Sequence, residues 1–222
     1  MNERTFVDMK SLVELQETNY LRLMSTVGKR ALATEARRLH ILEAAAACFV
    51  EKGFHQTSMR DIASAAGVSL GNLYNHFESK AELIGEFAKS EEGDLHDLIS
   101  KFSGFSDPLK AISKFSDSYL TMCLRPGALE LTIDVISEGL RNPRVAELFD
   151  QNRKQLVAAL IDVIRMLPNA NGSHNALNHK AETMLDIVEG MAIRASFTRR
   201  NLSSSDKKRL ASSLISVATQ SD

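Results

Sequence analysis

Along most of this 222-residue chain the apolar positions recur three or four residues apart, and alternating β-branched runs are absent, so nearly every segment predicts helix. Over residues 36–52, Ile41, Ala45, Cys48 and Phe49 line one face, and Gly53 supplies a stop at the position after the helix end. A short helix is predicted over 58–66, with Met59, Ile62, Ala63 and Ala66 facing inward. Thr57 or Ser58 caps it, and Ser58 as the cap places Asp61 at N3, close to a capping box. Gly67-Val68-Ser69 then make a turn in which Gly67 takes a positive φ. Ser69 caps a second short helix ending near Phe77, and Ser79 opens another through Leu83, Ile84 and Phe87 toward Glu91.

Beyond residue 95 the periodic stretches lengthen. Pro108 suits the first turn of a helix carrying Ile112, Phe115, Tyr119 and Met122, and Pro126-Gly127 ends it. Helices over 129–140 and from Asn142-Pro143 to Pro168 follow. Residues 169–178, rich in Asn, Gly and Ser, predict a loop. Helices over 180–198 and 206–218 close the chain, and no internal repeat of a solenoid kind is present. Residues 1–34 form a mixed leader in which Leu12, Leu15 and Leu23 are interrupted by polar residues; no role is assigned to it.

Composition narrows the class. At 44% hydrophobic and 25% charged, the chain is typical of globular proteins. The longest apolar run, from Ala44 to Val50, is far short of the ~20 residues a membrane helix needs, and the first ten residues lack a signal-peptide core. Cys48 and Cys123 are isolated among apolar neighbours, which predicts buried thiols and a cytoplasmic protein. Net charge is −1, but residues 29–80 hold seven basic against five acidic side chains, a small local excess. Zincin, paired Cys-x-x-Cys, Walker, nucleophile-elbow and dinucleotide fingerprints are absent, so no enzyme, cofactor or metal is expected. His174 and His179, five apart, do not share a helix face suited to a metal.

Two short helices joined by a Gly-containing turn are the helix-turn-helix pattern, whose second helix can enter the DNA major groove. The surrounding order is more specific: Ile41-Leu42, Ala45, Phe49, Gly53-Phe54, Thr57-Ser58, Asp61-Ile62-Ala63, Ala66-Gly67-Val68-Ser69, Gly71-Asn72-Leu73-Tyr74, His76-Phe77, Lys80 and Leu83. Over residues 36–90 this resembles the amino-terminal domain of the tetracycline-repressor (TetR) family. The resemblance implies an all-α protein with a three-helix DNA-binding head over 35–95. A connecting helix would join it to a ligand-binding and dimerisation body over 96–222.

On the second helix, Leu73 and Phe77 lie one turn apart and face the core with Ile62 and Val68. The other side offers Leu70, Gly71, Asn72 and Asn75. Asn can pair with adenine N6 and N7, and Leu70 can touch a thymine methyl. Gly within a helix costs ~1 kcal/mol relative to Ala, which Gly71 offsets if backbone must approach the groove; a first-turn Gly of no consequence is the alternative. In the family the residues matching Tyr74 and His76 reach phosphates, against half-burial of the Tyr or a dipole role for the His. Lys80 is either a phosphate contact or a solvated lysine. Thr57, Ser58 and Ser69 bring hydroxyls near helix N-termini. Arg37 and Arg38, with Lys29 and Arg30, form either a basic arm along the phosphates or a solvated cluster.

In the body, Phe105, Phe115, Tyr119, Met122 and Met184 are candidate linings for a small apolar or amphipathic effector, with core packing as the plainer role. A stripe of Met184, Val188, Met191, Ala192 and Ala195, joined by Leu210, Leu214 and Val217, is the expected homodimer face. The function these features imply is a repressor released from a palindromic operator by a ligand. A ligand-free DNA-binding regulator, or an activator, stays open.

Overall fold

The computed structural model of the chain describes residues 29–168 and 172–220, and every regular element among them is an α-helix. In chain order they are α1 (Lys29–Lys52), α2 (Met59–Ala65), α3 (Leu70–Tyr74), α4 (Lys80–Ser103), α5 (Pro108–Cys123), α6 (Ala128–Gly139), α7 (Pro143–Arg165), α8 (His174–Phe197) and α9 (Ser204–Thr219). The leader before residue 29 lies outside the described residues. No helix among them is long and apolar enough to cross a membrane.

Contacts divide the chain into two compact units. The first holds the described residues up to Glu86 together with Glu130–Val135; the second holds Phe87–Leu129 and the described residues from Ile136 onward. Sequence periodicity puts a boundary near residue 95, whereas the contacts put it within α4 and add part of α6 to the first unit.

In the first unit, Ile41, Ala45, Cys48 and Phe49 of α1 are buried with Ile62, Leu73, Phe77, Leu83 and Ile84. Gly53 ends α1 at φ +81°, a conformation L side chains rarely adopt, and its N–H donates to the Phe49 carbonyl at 2.7 Å. That reversal folds the Phe54 ring edge-on to Phe49, with centroids 5.1 Å apart. Ser58 caps α2 in a full capping box with Asp61. Gly67 turns at φ +61°, and Ser69 caps α3 by accepting from the Asn72 N–H at 3.1 Å. With only five residues, α3 cannot stand alone; burial of Leu73 and Phe77 holds it.

The second unit is built around Phe102, Ile112, Phe115, Leu120, Leu156, Leu160, Ile164, Met184, Leu185, Val188, Leu210 and Leu214. Asp107 caps α5 by accepting from the Leu109 N–H at 2.9 Å, with Pro108 in the first turn as expected. Three boundaries depart most from the sequence expectation, one of them in α1, which starts at Lys29 rather than near residue 36. α4 runs past Glu91 to Ser103, because Leu95, Leu98 and Phe102 continue its buried stripe. α8 starts at His174 inside the expected loop, since the Ser173 hydroxyl accepts from the Ala176 N–H at 3.2 Å.

The expected dimer stripe is largely used up by the chain's own core. Met184, Val188, Ala192, Ala195, Leu210 and Leu214 are buried, and Met191 and Val217 are partly so. α9 packs on α5 and α8, which covers these positions. Beside the exposed polar residues of α8, Gly190, Ile193 and Phe197 also face outward, the last 87% exposed.

Candidate nucleic-acid interface

α3 presents one face to its own core and the other to solvent. Leu73 and Phe77 are fully buried, while Ser69, Gly71, Tyr74 and Asn75 are exposed and Leu70, Asn72 and His76 are partly so. Tyr74 keeps 48% of its surface, a large fraction for an aromatic on so short a helix. A Cβ added at Gly71 would meet nothing within 4 Å, so the chain's own packing does not require glycine there. The Asn72 Oδ1 is buried with no hydrogen-bond partner among the described residues, leaving its donor end as the available one.

The hydroxyls predicted beside this face divide by role. Thr57 is 1% exposed, and its Oγ1 donates toward the Gly53 carbonyl at 2.9 Å and the Cys48 carbonyl at 3.1 Å. It locks the turn after α1 and is turned away from solvent. Ser58 is exposed but committed to Asp61: its hydroxyl and its N–H both donate to that carboxylate. These bonds, with Lys52 at 3.0 Å, hold Asp61 well below the usual carboxylate range. The outward N–H groups of α2 remain the more available donors at this end.

Two of the predicted basic contacts also have partners within the unit. The Arg38 guanidinium donates to the His76 carbonyl at 2.9 Å, pairs with Glu86 at 2.8 Å and lies 4.4 Å from the Phe77 ring centroid. The Lys80 ammonium donates to the Phe54 carbonyl at 2.6 Å and sits 4.4 Å from the Phe54 ring centroid. Both cations bind the ends of loops to helices inside the unit. Arg37, one residue before Arg38, is exposed. The side chains of Lys29 and Arg30 lie outside what the structure describes.

Sequence reasoning missed the acidic partners of this scaffold. Glu86 follows Lys80 by six residues on α4, and nothing in its spacing announces Arg38. Asp134, on α6, accepts the Phe54 N–H at 2.9 Å across eighty residues of sequence.

Against this geometry, known proteins give a consistent answer. Residues 41–87 match the family model described as bacterial regulatory proteins, tetR family. That stretch takes in α2, the turn, α3 and the outward face just described. Over residues 41–87 the chain is similar to the TetR family. The KstR2 transcriptional repressor of Rhodococcus jostii (strain RHA1) is 32% identical over 121 residues, covering 52% of this chain and 58% of the relative. The chain thus matches little more than half the length of that curated relative. Salmonella enterica GusR superposes with a TM-score of 0.66 at 25% identity, covering 83% of this chain and 96% of that one. AibR, solved in complex with isovaleryl coenzyme A and operator DNA, shares the fold with a TM-score of 0.64 at 17% identity, over 81% and 96% of the two chains.

In the second unit, the predicted effector residues separate. Phe115 and Met184 are fully buried, Tyr119 is buried, Met122 packs partly buried against the same core, and Phe105 is exposed in the turn before α5. Phe115 and Tyr119 stack with centroids 5.4 Å apart. Around Tyr119 lies a polar network that the sequence did not announce. Its hydroxyl donates to Glu189 at 2.7 Å, and Arg153 bonds to Glu189, Glu182 and Asp186 at 2.7–2.9 Å. The only legible trace is that 182, 186 and 189 fall on one face of α8. Asn152 is buried and donates to the Ala88 carbonyl at 2.8 Å and to Glu91 at 3.1 Å. Burial pushes the Glu91 carboxyl up from its ordinary value, and it pushes the Cys123 thiol up to about 12, helped by Glu189 and Glu91.

Proposed function

We propose that the chain is a sequence-specific DNA-binding transcriptional regulator. It acts as a cytoplasmic homodimer that represses from a palindromic operator and is released by a small apolar or amphipathic effector. The observation that carries this reading is the two-sided α3. Its inner side is anchored by fully buried Leu73 and Phe77, and its outer side leaves Ser69, Gly71, Tyr74 and Asn75 in solvent. A five-residue helix so anchored is rigid, exposed and narrow enough to enter a major groove.

Base reading falls to Leu70, Asn72 and Asn75, with Gly71 allowing close backbone approach. Ser69, Tyr74, His76, Arg37 and the N–H groups behind Ser58 take the phosphates. Arg38, Thr57 and Lys80 hold the scaffold that aims these groups. The head spans the residues up to about 95, and the body from 96 onward takes the effector and the second copy. Two copies would set their α3 helices about 34–36 Å apart. The outward side of α8, with Ile193 and Phe197, is a better dimer contact than the stripe already in the core. The effector reading is supported by a neighbour of the same fold that was solved with isovaleryl coenzyme A and operator DNA.

Selection on random duplexes tests the reading. A palindromic consensus bound with steeply salt-dependent affinity supports it; recovery of unrelated sequences at the affinity of unselected DNA overturns it.

A further inference from the structure

The Phe54 peptide is held at both ends by charged side chains from different helices. Its N–H donates to the Asp134 carboxylate of α6 at 2.9 Å, and its carbonyl accepts from the Lys80 ammonium of α4 at 2.6 Å. The same ammonium reaches the His55 carbonyl at 3.5 Å and covers the Phe54 ring. Phe54 stands between the Gly53 reversal and the Ser58 cap of α2, so its orientation sets where α2 begins and where the α2–turn–α3 pair points. Glu130–Val135 groups with this unit and the rest of α6 does not. Asp134 is thus a side chain of this segment that holds the turn after α1.

We propose that Asp134 is a positioning residue for DNA recognition, acting through the Phe54 N–H. The inference rests on the DNA-binding reading above. A carboxylate on a backbone N–H is a charge-assisted bond, stronger and more directional than a neutral one. Its loss frees the turn without removing any group from the outer face of α3. Selective binding, which needs both α3 helices aimed together, is therefore what suffers. Nonspecific attraction to phosphates, which needs only charge, persists.

The full chain is compared as wild type, Asp134→Ala and Asp134→Asn. Each is titrated with the duplex that wild type selects from random DNA and with an unselected duplex of equal length. Asp134→Ala is expected to lose about tenfold in affinity for the selected duplex while staying within about twofold on the unselected one. Its Phe54 amide should exchange with solvent about tenfold faster. Asp134→Asn, whose neutral amide oxygen can still accept, should fall between wild type and Asp134→Ala in affinity for the selected duplex and in Phe54 exchange. Unchanged affinity, an equal loss on both duplexes, or an unchanged Phe54 exchange rate overturns the proposal. Should Asp134→Ala not fold, Asp134→Leu, which keeps the bulk and lacks the acceptor, is read by the same criteria. A wild-type protein that selects no duplex overturns the DNA-binding reading instead, and the Phe54 exchange rates still decide whether Asp134 holds the turn.

Discussion

Arg38 and Glu86 meet at 2.8 Å with only 23% and 15% of their side chains exposed, and the same guanidinium holds the carbonyl of His76 beyond α3. One side chain on α1 thereby ties the end of the recognition helix to the connecting helix α4. The sequence offered Arg38 as part of a basic arm; in the structure its guanidinium is held by a carboxylate and a carbonyl.

Arg38→Ala is expected to lower the unfolding free energy by about 2 kcal/mol, because Glu86 and the His76 carbonyl each lose a partly buried partner. Arg38→Lys should restore little, since one ammonium cannot replace a planar fork that serves a carboxylate, a carbonyl and a ring at once. Urea denaturation checks the stability. The slope of log affinity against log salt should stay at the wild-type value, because no phosphate contact is removed. Wild-type stability with a slope reduced by about one would put Arg38 on the DNA.

Gly71→Ala separates packing from recognition. Nothing among the described residues opposes the added methyl, so the variant should fold with stability unchanged or raised by up to about 1 kcal/mol. Operator affinity should fall by about tenfold, some 1.4 kcal/mol, if backbone approaches the groove at this position. Equal affinity for both proteins, measured by fluorescence anisotropy, would make Gly71 an ordinary first-turn residue.

Tyr74 and Asn72 should fail differently. Tyr74→Phe removes a hydroxyl assigned to phosphate and should weaken every sequence alike. Asn72→Ala should relax the preference at one base pair, at a cost of about 1–3 kcal/mol on the consensus. Binding to a panel of single-base operator variants distinguishes the two patterns, and identical profiles would contradict the assignment.

Much of the head was legible before any coordinates. Ser58 with Asp61, Gly67, Ser69 and Gly53 are local signals: caps and left-handed turns are decided within four residues, and each stands where its chemistry put it. The inward faces of α1 and α3 were equally readable, because periodicity marks burial directly. Partners across long separations were not. Arg38, Lys80 and Thr57 are polar residues next to a binding face, and sequence alone does not distinguish a cation aimed at phosphate from one aimed at a carbonyl 38 or 26 residues away. The dimer stripe was ambiguous for a related reason. An apolar face on α8 shows that something covers it, and in this chain α9 and α5 do.

Glu91 gives the body a pH signature. Burial raises its carboxyl above the ordinary value despite the Asn152 bond that opposes the shift. A folded-state value above the unfolded one means the ionised form penalises folding. That penalty is absent below the unfolded value and complete once pH exceeds the raised one. Glu91→Gln, which still accepts from Asn152, should therefore be more stable than wild type at neutral pH. The difference should shrink as pH falls through the raised value toward 4.5. Denaturation midpoints at several pH values check this; a gap that widens on acidification would reverse the sign.

The central claim is that the outer face of α3 lies in a major groove. Methylation protection of guanine N7 on the selected duplex tests it most directly, because that atom is exposed in the major groove alone. The account predicts protection at two patches about one helical turn apart, lost when Gly71 is replaced by a bulky residue in a protein that still folds. Binding that leaves every guanine N7 reactive would contradict it.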